Sequence, residues 1–135
     1  MPNTIQKEIL LDDRRNAVVR FVGICEAGDT LAGNAVEPGD FSDNEQGWTL
    51  TGFRLDFAQW SIDPALLVTF QWTGAVPQYV ISLSRTGNFK ARDFGGLVPP
   101  GANVDGNINL ALQRSSAGST IYFTTVLHLI KLYSR

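Results

Sequence analysis

Between Thr51 and Ile62, Phe53, Leu55 and Phe57 alternate with Arg54, Asp56 and Ala58. Neighbouring side chains on an extended strand point to opposite sides, so this rhythm predicts a strand with one buried face and one wet face. Helical spacing is almost absent from the chain, while β-branched and aromatic runs recur. Ile5 to Leu11 predicts a first strand, ended by Asp12-Asp13. In Asn16 to Cys25, Ala17, Val19, Phe21 and Cys25 oppose Val18, Arg20, Val22 and Ile24. Only Arg20 is polar there, which predicts cover on both sides. Thr120 to Tyr133 is likewise apolar on both faces and would extend over roughly 40 Å.

Shorter strands are expected at Leu66 to Trp72, Tyr79 to Leu83, Phe89 to Arg92 and Ile108 to Leu112. Asp63-Pro64 is a turn signal, so the strands flanking it are expected to pair as an antiparallel hairpin. Thr86-Gly87-Asn88 reads as another turn. Residues 26–49 and 93–107 are rich in Gly, Pro, Asp and Asn and read as long loops. About eight strands with long crossing loops predict an all-β fold, an antiparallel jelly-roll or Greek-key β-sandwich, with a closed barrel as the alternative. The 135 residues suit one domain spanning 1–135.

Composition narrows the partners. Charged residues make up only 18% of the chain, against about 25% on average. This favours a protein that covers part of its exterior with a partner. The net charge of −2 gives no reason to expect nucleic-acid binding. Glu26, Asp29, Glu37, Asp40, Asp43 and Glu45 fall in a stretch without Lys or Arg. That acidic loop is a solvated surface or a docking element. One cysteine permits no internal disulfide, no apolar run is long enough to span a membrane, and the charged N-terminus lacks a signal-peptide core. The expectation is synthesis in the cytosol, with no membrane.

Catalytic chemistry is hard to assemble. His128 is the sole histidine and lies between Leu127 and Leu129 in the last strand, where a structural role on a sheet face is expected. Cys25 precedes Glu26, whose charge disfavours a thiolate, so Cys25 reads as a small core residue. One histidine and one cysteine do not make a zinc site. Asp40, Asp43 and Glu45 are oxygen ligands, but their spacing does not match an EF-hand loop. Neither an enzyme nor a cofactor is expected. Trp48, Trp60 and Trp72 could line a sugar platform or form a cross-strand aromatic pair.

The opening Ile5-Gln6-Lys7-Glu8-Ile9-Leu10-Leu11-Asp12 leads into Arg15-Asn16-Ala17-Val18-Val19-Arg20-Phe21-Val22-Gly23. Phe53-Arg54-Leu55, Trp60-Ser61-Ile62, Phe70-Gln71-Trp72, Arg92-Asp93-Phe94-Gly95-Gly96-Leu97 and Gly106-Asn107-Ile108-Asn109-Leu110 follow. This order resembles the jelly-roll cement, or decoration, proteins on the capsids of tailed bacteriophages. The resemblance implies a structural virion protein made in the host cytoplasm and bound to the capsid exterior. It would bridge neighbouring major capsid subunits as a small symmetric oligomer. A homodimer is expected ahead of a homotrimer, because the last strand carries more apolar surface than one chain covers. Partner contacts are expected on the two long loops, at Asp40, Asp43 and Glu45 and at Arg92, Asp93, Phe94 and Leu97. The alternative is a ligand-binding β-sandwich such as a carbohydrate-binding module.

Overall fold

The protein is described by a computed structural model covering residues 4–25, 31–41, 49–64, 66–74, 78–97, 104–114 and 121–134. The strands are β1 (Thr4–Asp12), β2 (Asn16–Cys25), β3 (Leu31–Val36), β4 (Thr49–Ile62), β5 (Leu66–Gly74), β6 (Gln78–Leu83), β7 (Thr86–Phe89), β8 (Val104–Arg114) and β9 (Ile121–Ser134). Two 3-10 turns, Pro38–Asp40 and Ala91–Phe94, interrupt them. One sheet has the order β1-β2-β9-β4-β7 and the other β3-β8-β5-β6. All the pairings are antiparallel. Among consecutive strands only β1–β2 and β5–β6 are neighbours, and the other connections cross between sheets. This is the expected antiparallel jelly-roll sandwich.

The inward faces make one apolar cluster. β2 contributes Ala17, Val19 and Phe21, β9 contributes Phe123, Leu127 and Leu129, and β4 contributes Phe53, Leu55 and Ala58. Facing them are Val68, Phe70 and Trp72 of β5 and Ile108, Leu110 and Leu112 of β8. The Phe21 and Phe70 rings meet across the sandwich at 5.7 Å. Burying each such side chain stabilises the fold by about 1.5–3 kcal/mol before chain entropy is counted. Among the described residues one charge lies inside: Lys131 is buried, pairs with Asp12 and lies over the Phe41 ring. The β1–β2 turn is held by Asp13, whose Oδ1 accepts from the backbone N–H groups of Asn16 at 2.6 Å and Arg15 at 3.0 Å. Those bonds, that from Asn16 foremost, hold the Asp13 carboxyl below its ordinary value.

Several local expectations need correction. The strands around Asp63-Pro64 do not pair, because β4 and β5 belong to different sheets and the turn is a corner between them. The tight turn after β6 falls at Arg85, the one non-glycine residue with positive φ among those described, and residues 86–89 form edge strand β7. Arg92, expected to end a strand begun at Phe89, instead lies with Ala91 in the 3-10 turn Ala91–Phe94. The first long loop contains β3, paired with β8; its sequence Leu-Ala-Gly-Asn-Ala-Val has little intrinsic strand preference and depends on that pairing. The second loop is shorter than expected, since β8 begins at Val104.

The most consequential correction concerns Phe57. Alternation placed it inward with Phe53 and Leu55. The β4–β9 register instead shifts between Leu55 and Phe57, so Leu55 opposes Leu129 while Phe57 opposes His128. An extra residue in one strand flips everything beyond it to the other face. Asp56 is that residue. Ala58 takes the inward position and Phe57 turns outward, half-buried.

Candidate binding surface on the five-stranded sheet

The outward side chains of β2 and β9 are mostly apolar. Val18, Val22 and Ile24 of β2 and Val126, Ile130 and Leu132 of β9 are all half-buried, and Val18, Val22 and Ile24 oppose His128, Thr124 and Tyr122. Antiparallel register aligns Val18, His128 and Phe57 in one row across β2, β9 and β4. The Phe57 and His128 rings meet edge to face at 5.1 Å, an arrangement that aromatic quadrupoles favour. The Arg92 guanidinium lies over the Phe57 ring at 5.2 Å from its centre, in cation–π geometry. Burial lowers the His128 pKa from 6.5, the Arg92 charge lowers it further, and Asp56 opposes both. His128 is therefore neutral at pH 7.

Arg92 is delivered by the 3-10 turn. Gly95 and Gly96 both have positive φ, near 85°, which glycine adopts without the cost a side chain would incur. They turn the chain back so that Leu97 pairs with Leu55, with backbone bonds of 2.9 and 2.8 Å in the two directions. Gly96 also covers the Arg54 side chain so closely that a Cβ there would lie 2.5 Å from Arg54 Cδ. Arg54 Nη2 approaches Asp56 Oδ1 at 3.8 Å, and its Nε is buried without a hydrogen-bond partner among the described residues. On the other side of the face, Arg20 is paired with Glu8.

The residues expected to bind a partner have separate locations. Asp40 closes the Pro38–Asp40 turn by accepting from the Glu37 backbone N–H at 2.9 Å, and pairs with Lys7 at 2.8 Å. It is thus engaged within the chain. Asp43, Glu45 and Trp48 lie outside the described residues. Arg92 and Asp93 are exposed, and Leu97 packs partly buried against the core. Phe94 belongs to the 3-10 turn, and its side chain lies outside the description, as does that of Cys25. Trp72 is buried in the core, its Nε1 without a partner among the described residues. Trp60 packs against the core from the other sheet and donates to the Ser84 carbonyl at 3.0 Å. Neither tryptophan forms an open sugar platform. No group of three His, Cys, Asp or Glu among the described residues could hold a metal ion.

Phe57 and Arg54 were missed as site residues. The available signal was the unbroken run of large and charged residues Phe53-Arg54-Leu55-Asp56-Phe57-Ala58, in which Ala58 fits the core as well as Phe57 does.

No family model and no curated protein matches the sequence. Similar solved structures include the cupin_2 domain of an XRE-family transcriptional regulator from Enterobacter cloacae, with a TM-score of 0.41 and 9% identity over 94% of this chain and 96% of that one. A second is a cupin superfamily protein from Desulfitobacterium hafniense, with a TM-score of 0.33 and 8% identity over 94% of this chain and 79% of that one. At these scores neither gives this chain a function or a site.

These neighbours, rather than capsid cement proteins, correct the decoration-protein resemblance. The major capsid protein as partner and the capsid exterior as location are withdrawn with it. The stretches that carried the resemblance are strand patterns and, at Arg92–Leu97, one 3-10 turn, and such local patterns specify secondary structure, not a family. The homodimer expected of such a clamp also loses its premise. The outward side chains of β9 from Thr124 to Leu132 are half-buried within one chain, and among the side chains described on that strand only Tyr122 is exposed.

Proposed function

We propose that this chain is a non-catalytic, ligand-binding β-sandwich whose binding surface is the outward face of the five-stranded sheet around Val18, Phe57, Arg92 and His128. The observation that carries this reading is Arg92. Its guanidinium is held over an aromatic ring beside an apolar sheet face, and it has no hydrogen bond or ion pair among the described residues. Arg is among the residues enriched where binding energy concentrates at recognition surfaces. The inward faces, by contrast, are occupied by the core itself.

The test is a fragment library containing acids, amides and neutral sugars, screened by saturation-transfer NMR against the wild type and Val18→Glu. Circular dichroism confirms that the variant retains its sheet. Expected are fragments that saturate the wild type and are lost in Val18→Glu. Fragments that bind both proteins equally, or a library without a single saturable binder, overturn the reading.

A further inference from the structure

On that reading of the sheet face, we infer that the ligand is a small organic acid, with a carboxylate held between Arg54 and Arg92 and a flat or hydrocarbon body resting on Val18, His128 and Ile130. The bulge at Asp56 and the return of the chain through Gly95 and Gly96 bring both arginines to the same end of the face. Arg92 has no acceptor among the described residues. The Arg54 Nη2 faces Asp56 at 3.8 Å, an ion-pair distance too long for a hydrogen bond. Guanidinium donors not engaged by an acceptor match a carboxylate, which accepts two parallel N–H bonds.

The surroundings set the rest of the ligand. Arg54 opposes Ile130, and Phe57 opposes His128, which in turn opposes Val18. A body extending from the carboxylate across the strands meets aliphatic carbon and a neutral imidazole. Of the other charges among the described residues, Glu8 is held by Arg20, while Lys90, at the start of the 3-10 turn, and Asp93, next to Arg92 in the chain, are exposed. Asp56 beside Arg54 excludes a multiply charged anion more strongly than a monocarboxylate, because like charges in contact repel. Inorganic phosphate also lacks the apolar body.

Benzoate, benzamide and inorganic phosphate are titrated into the isotope-labelled full chain, following the ring resonances of Phe57 and His128. The expected result is saturable shifts with benzoate, at least about tenfold weaker binding of benzamide, and no ring shifts from phosphate at the same concentrations. Arg92→Gln and Arg54→Gln each weaken benzoate about tenfold, whereas Arg85→Gln, on the β6–β7 turn, does not. Equal binding of benzoate and benzamide, or indifference to both site substitutions, overturns the assignment of an acid. It leaves the sheet face standing as a binding surface. If phosphate matches benzoate, the site is a bare anion site and the inference also fails. If no compound in the wider library moves either ring, the sheet-face reading itself fails.

Discussion

The Arg92 guanidinium lies 5.2 Å from the centre of the Phe57 ring, and the pair exists because one bulged residue turns Phe57 out of the core. Phe57→Ala removes the surface on which Arg92 rests and the edge-to-face contact with His128. Because Phe57 is half-buried, the expected loss of stability is about 1–2 kcal/mol. The fold survives, and fragment binding falls by at least about tenfold. Urea unfolding and the fragment titration measure the two effects separately. A variant that binds as the wild type does contradicts the role given to this ring.

His128 makes stability depend on pH. Its folded pKa lies below the ordinary 6.5, through burial first and the Arg92 charge second. The unfolded chain therefore takes up the proton first as pH falls. Stability from this residue is fully present above about 6.5 and declines as pH drops from there through the folded value. Urea midpoints at pH 8 and pH 5.5 should differ more for the wild type than for His128→Gln. Equal differences would show that the His128 pKa is the same in the folded and the unfolded chain, and would contradict the shift.

Asp12 and Lys131 tie the end of β1 to β9 through a charge inside the sandwich. Asp12→Ala leaves a buried ammonium without this carboxylate, and the expected cost is about 3 kcal/mol. Lys131→Met keeps the volume and removes the charge, and is expected to cost less than about 1 kcal/mol. Chemical denaturation of both variants checks the asymmetry, which a solvated surface pair would not show.

Gly96 is needed twice, for its φ of +86° and because a Cβ would meet the Arg54 side chain. Gly96→Ala is expected to destabilise by about 1–3 kcal/mol and to displace Arg54. Gly39 has open space around it and no positive φ, so Gly39→Ala should be nearly neutral. Thermal melts of the two variants, run side by side, test the comparison.

Much of the sandwich was legible in the sequence because β2 and β9 state their period twice, once on each face. The same pattern grouped Val19 with Phe21 and Leu127 with Leu129 on one face of each strand, but with both faces apolar it did not say which one turns into the core. The face of Phe57 was not legible. A bulge costs one residue and leaves no composition signal, and Phe57 and Ala58 are both acceptable in a core. The β4–β5 corner was misread because Asp63-Pro64 marks a turn without saying whether the chain returns to the same sheet. β3 was missed because its stability comes from its pairing with β8. Arg92 was singled out in advance, but as a loop residue reaching for a shell. What it meets is its own sheet.

The most direct test of the binding face is backbone-amide chemical-shift mapping with a fragment that saturates the wild type. The largest changes are expected at Val18, Phe57, Arg92, His128 and Ile130, on three strands that are adjacent in one sheet and on the 3-10 turn beside them. Largest changes at inward positions such as Val68 and Leu110, or outside the five-stranded sheet altogether, would contradict it.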